Sequence, residues 1–174
     1  TIHESLNCLY VNVERPARSM KARLARVNKA LGLEPRTPIP FVNARGKSLA
    51  DVYEAIKRTA RQYDCRLVFY DSISRAGFGS LVKDDVANRT MDMLNALDHA
   101  WVALAHSPRG DEEHAFGSQM FDAAADVVVQ LKTQTSRDKQ STGIGLQSVK
   151  ANDLPLSGMS VHVFEWDETG LVGI

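Results

Sequence analysis

The sequence predicts an α/β protein with a mostly parallel sheet that is flanked by helices. Short apolar runs rich in Val, Leu and aromatic residues alternate with longer segments of helical period. Most of these runs are apolar along their whole length, which is typical of parallel strands covered on both faces. The last three runs follow one another with no helical segment between them. We therefore expect antiparallel strands at the C-terminal end.

Length and composition indicate an ordinary globular protein. A chain of 174 residues suits a single domain, so we expect 1–174 to form one unit. Lys plus Arg equals Asp plus Glu at 21 each, which excludes polyanion binding by bulk charge. Cys8 and Cys65 show neither metal-ligand spacing nor a disulfide framework, so reduced thiols in a cytoplasmic protein are expected. No apolar stretch approaches ~18 residues, so we expect no membrane partner.

The first half of the chain is predicted to hold three strands and two helices. The strands are CLYVNV (8–13), PFVN (40–43) and the apolar run of CRLVFYDSIS (65–74). The first helix has one apolar stripe, Met20, Leu24, Val27 and Leu31, with Pro16 near its start and Gly32 at its end. The second helix begins after Ser48, a plausible N-cap, and its stripe is Leu49, Val52, Ile56 and Ala60.

The second half is predicted to hold one more helix and four strands. Asp84 or Asp85 can cap the helix, on which Val86, Thr90, Met93 and Leu97 share a face. AWVALAH (100–106) is the next strand, and a polar segment follows it as far as Gly117. The remaining strands, 126–132, 143–150 and 160–167, form an antiparallel meander that closes one side of the sheet.

Three of the longer predicted strands each end in an ionisable side chain. These residues are Glu14, Asp71 and His106. Parallel strands place their carboxyl ends along one edge of a sheet, where ligands bind in open α/β folds. Two carboxylates and an imidazole at one edge suit metal binding, water activation and sensing of a charged substrate.

Each of these residues also has a simpler explanation when it is taken alone. Asp71 followed by Ser72 is a common turn starter. A carboxylate such as Glu14 is favourable before a helix through the helix dipole, and His106 before Ser107 and Pro108 fits a plain loop. These explanations do not account for the shared position of all three residues at strand ends.

Several segments together resemble the RecA-like ATPases. LVFYDSIS resembles the Walker B strand, LYVNVER the second strand with its terminal Glu, and VALAHSPR the strand that senses the γ-phosphate. GSQMFDAAADVVVQL and LQSVKAND resemble later segments of DnaB-like and RepA-like members. The order is the family's and covers essentially the whole chain. The resemblance is closest to the RepA-like and DnaB-like replicative helicase ATPases of plasmid or phage type.

The resemblance implies a RecA-like motor domain that binds and hydrolyses ATP with Mg²⁺ in DNA replication or recombination. By position in these motifs, Asp71, with Ser72, would hold the magnesium shell and Glu14 would orient the attacking water. His106 would couple phosphate state to the loop that follows it. Lys150 would reach the nucleotide of a neighbouring subunit, which implies a homo-oligomer such as a hexameric ring.

The resemblance also places two loops where RecA-like rings present DNA-binding segments. These are the loops 75–85 and 107–117, and they carry three candidate cations for single-stranded DNA, Arg75, Lys83 and Arg109. Five acidic residues in the same loops offset the positive charge of these cations. The alternative is therefore that both segments are ordinary solvated loops.

Two departures from the family limit what the resemblance implies. No G-x-x-x-x-G-K-[ST] phosphate-binding loop occurs in the chain, so the central first strand and the P-loop are missing. We expect that the N-terminal part has been removed, that the sheet lacks an interior strand, and that this chain alone hydrolyses ATP negligibly. Asn152 stands where hexameric relatives often have an Arg, which leaves Arg137 or Arg109 as weak substitutes.

Two other classes of function remain open at this stage. A non-hydrolysing RecA-like ring subunit or scaffold would keep the fold without the chemistry, and the absent loop favours it. A serine hydrolase that uses Ser72, His106 and an Asp is a weaker alternative, because YDSIS lacks the G-x-S-x-G elbow.

Overall fold

The computed structural model describes residues 6–75, 79–107, 115–168 and 170–173. Two compact units divide the chain. Unit 1 comprises Thr1–Ala17 and Pro38–Ala124, and unit 2 comprises Arg18–Thr37 and Ala125–Ile174. The strands are β1 (Cys8–Asn12), β2 (Phe41–Asn43), β3 (Leu67–Asp71), β4 (Ala100–Ala103), β5 (Val127–Thr135), β6 (Ser141–Ala151), β7 (Ser160–Asp167) and β8 (Gly170–Gly173). The helices are α1 (Ala17–Ala30), α2 (Leu49–Gln62), α3 (Asp84–Asn95) and α4 (Met120–Ala124), with a 3₁₀ turn at Ile73–Arg75.

Unit 1 contains the parallel sheet that the apolar runs predict. Its strand order is β2-β1-β3-β4, and all three pairings are parallel. In the central pair, Asn12 lies opposite Asp71, so β1 and β3 end level with each other. The sheet therefore presents the carboxyl ends of its strands along one edge.

The core of unit 1 lies on one face of this sheet. Leu9 and Val11 of β1 and Val68 and Tyr70 of β3 are fully buried, and α2 contributes its predicted apolar stripe to the core. The residues between them, such as Tyr10 and Phe69, are only half-buried because they point to the opposite face. Both cysteines are free thiols, as expected. Within the described ranges, no helix is both long and apolar enough to cross a membrane.

Unit 2 contains an antiparallel meander with the strand order β5-β6-β7-β8. Its strands form a separate four-stranded sheet, whereas we expected three strands that close one side of the parallel sheet. Strand β8 was not expected, because GLVG is too short and glycine-rich to show a pattern. The register shifts once in β5 between Val128 and Val129, a β-bulge that local sequence does not indicate.

The helices start close to where the sequence predicts. Ser48 caps α2 in a complete capping box with Asp51, as its position suggested. The prediction for α3 was wrong by one residue: Lys83 is the N-cap, and Asp84 and Asp85 lie in the first turn. There the two carboxylates still face the positive end of the helix dipole.

Two predicted helix faces differ from the structure. Val27 on α1 is 38% exposed, and Leu31, which lies just beyond the end of α1, is 56% exposed. Asn28 is buried instead, and its amide donates to the carbonyl oxygens of Pro35 and Thr37. On α3, Met91 is buried and Met93 is only half-buried. A stripe read at fixed spacing shows that a helix is amphipathic, but its neighbours decide which residues are covered.

Two further elements in unit 1 depart from the predictions. Strand β4 ends at Ala103, three residues before His106, because its chain leaves the ladder after Leu104. Helix α4 forms at Met120–Ala124, where no helix was predicted. A five-residue helix is shorter than the window in which helical period can be recognised.

Replacing Tyr70 with Phe tests the packing of this core. The Tyr70 ring is fully buried, no described residue hydrogen-bonds its hydroxyl, and burial raises the pKa of Tyr70 to about 12. Removing a buried hydroxyl without a partner relieves a desolvation cost, so Tyr70→Phe should leave the free energy of unfolding unchanged or raise it by about 1 kcal/mol. Urea denaturation measures this change. A loss above about 1 kcal/mol would show that the hydroxyl has a partner.

Candidate functional site

Backbone hydrogen bonds hold the three strand ends together beyond the strands themselves. The Val13 N–H donates to the Asp71 carbonyl oxygen at 2.9 Å, which extends the β1–β3 ladder by one residue. The Ile73 N–H donates to the Leu104 carbonyl oxygen at 3.0 Å, which ties the chain after β3 to the chain after β4. The three segments that carry the predicted site residues therefore leave the sheet side by side.

Glu14, Ser72 and His106 meet at this edge. The Ser72 hydroxyl donates to Oε1 of Glu14 at 2.6 Å, and Nε2 of His106 lies 3.4 Å from the same oxygen. The Glu14 side chain is 29% exposed and that of His106 is 68% exposed, so both are open to solvent. The contact is a charge-assisted one when the imidazole is protonated. The structure thus brings together two of the three residues predicted from the strand ends.

The third residue, Asp71, uses a different partner. Its Oδ2 accepts a hydrogen bond from the Tyr10 hydroxyl, and the Tyr10 ring stacks on Phe41 at 6.2 Å between centroids with an interplanar angle of 6°. Asp71 is half-buried, and Oδ1 accepts no hydrogen bond from a described residue. One carboxylate oxygen is therefore held by the protein and the other can serve a ligand.

A cavity of about 580 Å³ opens beside this cluster. It is lined by Glu14, Arg15, Ser74, Leu81, His106 and Phe116. Gly117 follows the lining residue Phe116; its φ is +125°, and a Cβ there would lie 2.7 Å from the carbonyl oxygen of Leu81, another lining residue. Gly117 is therefore required by both its backbone conformation and this close approach. The lining places acidic, basic, hydroxyl and imidazole groups around one space.

The environment of Glu14 favours its ionised form. The Ser72 hydrogen bond is the main cause that lowers the pKa of Glu14 below its usual range, and His106 and Ser74 add to the effect. Partial burial opposes this shift by raising the pKa, but it does not reverse it. At neutral pH Glu14 is therefore a carboxylate that can accept a hydrogen bond from a water molecule.

The other predicted residues lie apart from this cluster or outside the described ranges. In unit 2, the Lys150 ammonium donates to the Ala125 carbonyl oxygen at 2.7 Å. Lys83 is the exposed N-cap residue of α3. Arg75 belongs to the 3₁₀ turn, but its side chain lies outside the described part of the structure, as does all of Arg109.

Sequence reasoning missed three residues of the site. Ser74 contacts the Ser72 hydroxyl and donates to Glu14 at 3.3 Å. Tyr10 holds Asp71, and Arg15 lines the cavity. The alternation of Ser72 and Ser74 in DSIS and the position of Arg15 next to Glu14 were the available signals. Tyr10 gave none, because its partner lies 61 residues away in the chain.

The parallel sheet, with ionisable side chains where its strands end, has the arrangement expected of a RecA-like ATPase domain. Residues 2–112, well over half of the chain, match the AAA domain family, so the protein belongs to that family. A KaiC-like protein from the hyperthermophilic archaeon Pyrococcus horikoshii OT3 has a similar solved structure, with a TM-score of 0.62 and 16% identity. The alignment covers 96% of this chain and 74% of that one, and it establishes the RecA fold. Among curated protein sequences, none matches the chain.

The residues at the sheet edge fit a magnesium ion of the kind that accompanies a nucleotide. Across the described residues, no three His, Cys, Asp or Glu side chains converge as a set of metal ligands. Mg²⁺ commonly takes only one or two carboxylates, with water and substrate phosphates as its other ligands. Asp71, at the end of β3, offers one such carboxylate oxygen.

Replacing Ser72 should weaken the acidity of Glu14. Because the Ser72 hydroxyl is the main cause of the lowered pKa, Ser72→Ala should raise the pKa of Glu14 more than Ser74→Ala does. Carboxyl ¹³C NMR titration measures both values. A group whose pKa is lowered on folding stabilises the protein above its unfolded pKa, so the wild type should lose this contribution as pH falls below about 4.3. Equal shifts in the two variants would contradict the assignment.

Proposed function

We propose that this domain is the ATP-hydrolysing motor of a helicase-type protein that acts in DNA replication or recombination. The meeting of Glu14, Ser72 and His106 at the sheet edge beside Asp71 is the observation that supports this best. Family membership supports an ATPase, and the resemblance to RepA-like and DnaB-like segments favours a helicase. The preferred assembly is a hexameric ring on single-stranded DNA.

Glu14 is the residue that orients the attacking water. Its carboxylate is ionised, solvent-accessible and fixed by the Ser72 hydroxyl on one oxygen, which leaves Oε2 to accept a hydrogen bond from water. A lowered pKa makes Glu14 a weak base, so its role is to position and polarise the water. Phosphoryl transfer depends mainly on such positioning and on electrostatic stabilisation.

Asp71 and His106 would serve the nucleotide together with Glu14. Magnesium, when bound with ATP, supplies positive charge to the phosphates, and Asp71 would hold its water shell through the oxygen that Tyr10 leaves open. The proposed role of Ser72 in that shell uses its oxygen lone pairs, because its proton is donated to Glu14. Loss of the γ-phosphate would change the Glu14–His106 contact. His106 would transmit this change to the loop that follows it.

Lys150 would act on the nucleotide of a neighbouring subunit. Its ammonium would have to exchange the Ala125 carbonyl oxygen for phosphate oxygens, a stronger, charge-assisted partner. The active site would then be complete only in the oligomer.

A non-hydrolysing ring subunit or scaffold is the second candidate. It is favoured by one sequence observation, the absence of a G-x-x-x-x-G-K-[ST] loop from the 174 residues. The two candidates differ in nucleotide affinity, because the backbone N–H groups of that loop provide much of the phosphate binding. A fluorescent ATP analogue titrated into the complete gene product separates them.

The geometry argues against a serine hydrolase. A catalytic serine donates to a histidine that a carboxylate holds in turn. Here the carboxylate of Glu14 lies between Ser72 and His106, and Ser72 is only 2% exposed. The hydroxyl is therefore hydrogen-bonded to the carboxylate and is not activated by the imidazole.

Glu14→Gln tests the proposed role of Glu14 in the complete gene product. The amide keeps the shape of the side chain but is a poor acceptor for the water, so turnover should fall at least about a hundredfold. Binding of a fluorescent ATP analogue should be spared. Glu54→Gln is the matched control, because Glu54 is exposed on α2 and away from the cavity. Near-normal turnover of Glu14→Gln would remove the residue from this role.

Salt-dependent DNA binding tests the proposed nucleic-acid contacts. Lys83→Ala combined with Arg109→Ala should weaken single-strand binding and reduce the slope of log affinity against log salt by about 0.7 for each lost phosphate contact. Fluorescence anisotropy with a labelled oligonucleotide measures both quantities. Lys21→Ala with Arg58→Ala removes the same charge at exposed sites on α1 and α2. An equal effect of the two pairs would indicate a general charge effect and not a contact.

A further inference from the structure

Arg15 is a cation without an assigned purpose in the cavity beside Glu14. It lines that cavity with Ser74 and His106, and it is exposed. No described residue holds its guanidinium in a hydrogen bond or an ion pair. A guanidinium presents up to five donors in a planar fork that matches the oxygens of phosphate. We therefore expect the partner of the Arg15 guanidinium to be a ligand that binds in the cavity.

The backbone that carries Arg15 is fixed by a buried amide. Asn12 is fully buried, its Oδ1 accepts from the Arg15 N–H at 3.0 Å, and its Nδ2 donates to the Arg15 carbonyl oxygen at 2.7 Å. The same Nδ2 donates to Oδ1 of Asn43 at 2.7 Å, which anchors the turn to the end of β2. Pro16 further restricts Arg15 to extended backbone. The backbone position from which the Arg15 side chain extends is therefore fixed at the rim of the cavity.

The charge of Glu14 does not exclude an anion from this cavity. Its Oε1 already accepts from the hydroxyls of Ser72 and Ser74 and contacts His106, so this oxygen is occupied by neighbours within the protein. The opposite charge of Arg15 lies at the adjacent position in the chain. An anion would be held by Arg15 and would meet Glu14 only through water.

We propose that Arg15 is a catalytic residue that binds the γ-phosphoryl group of the nucleotide and then the inorganic phosphate. In this step a water held by Glu14 attacks the γ-phosphorus, the bond to the β-phosphate oxygen breaks, and ADP, inorganic phosphate and a proton leave. Arg15 compensates the charge on the transferred group, as an arginine finger does. This inference rests on the proposed ATPase function. Hexameric relatives often have an Arg at the position that Asn152 occupies here. Arg15 would supply that positive charge from the same chain as Glu14.

Phosphate binding by the 174-residue chain tests this role without turnover. Inorganic phosphate added to ¹⁵N-labelled protein should shift the amide signals of Arg15, Ser74 and His106, and the side-chain Nε signal of Arg15. Arg15→Ala should weaken the apparent affinity at least about tenfold, the size of a charge-assisted hydrogen bond. Arg61→Ala, which removes an exposed arginine from α2, should leave the affinity unchanged.

The opposite results would overturn the proposal. They are an absence of phosphate-induced shifts at the cavity in the wild-type chain, or shifts that persist in Arg15→Ala. An equal loss in Arg61→Ala would show screening of bulk charge instead of a site. Because Arg15 is exposed, the ¹⁵N spectrum of its Ala variant should otherwise match that of the wild type, which verifies the fold.

Glu14→Gln separates failure of this inference from failure of the ATPase proposal. In the phosphate titration it should tighten binding about threefold, the repulsion between unit charges about 6 Å apart in water. In the complete gene product, Arg15→Ala should lower turnover at least about a hundredfold while binding of ADP, which lacks the γ-phosphate, is kept. If Glu14→Gln leaves turnover normal while phosphate still binds at Arg15, the ATPase role fails and the anion site stands. If Arg15→Ala alone leaves turnover normal, the catalytic role of Arg15 fails.

Discussion

The parallel pairing of β1 with β3 is the constraint on which the site depends. It sets Asn12 opposite Asp71, and the Val13–Asp71 backbone hydrogen bond carries the pairing one residue further. Both chains must then turn away from the sheet at the same level. A shift of one residue would reverse the facing of every side chain in the strand, so the buried alternation of Leu9 and Val11 protects this register.

With this register, the carboxylates of Asp71 and Glu14 have different hydrogen-bond partners. Asp71, at the last position of β3, is held by the Tyr10 hydroxyl across the half-buried face of the sheet. Glu14, two residues beyond β1, is held by Ser72 and His106 at the cavity. Separate hydrogen-bond partners keep both groups usable at once, because two carboxylates sharing one site would repel and one would take up a proton. One oxygen of each carboxylate is left for a ligand or for water.

Much of the fold follows from local sequence, and most of the site geometry does not. Apolar runs and the Ser48 cap predict strands and helices because both signals arise within a few neighbouring residues. The exposed Val27 and the buried Asn28 on α1 depend on which neighbours cover that helix, which no local pattern records. The positions of ionisable residues at strand ends identify Glu14, Asp71 and His106 from the sequence. They do not reveal that Glu14 and His106 are in contact while Asp71 binds Tyr10. Those contacts join residues that lie about sixty or more positions apart.

The central claim is that Glu14 holds the attacking water while Ser72 and His106 fix its carboxylate. A crystal structure of the complete gene product with magnesium, ADP and an aluminium fluoride mimic of the transferred phosphoryl group examines it most directly. A free oxygen of Glu14 should accept a hydrogen bond from the water in line with the aluminium, at about 2.7 Å. A water held by another residue, with Glu14 turned away from it, would contradict the account.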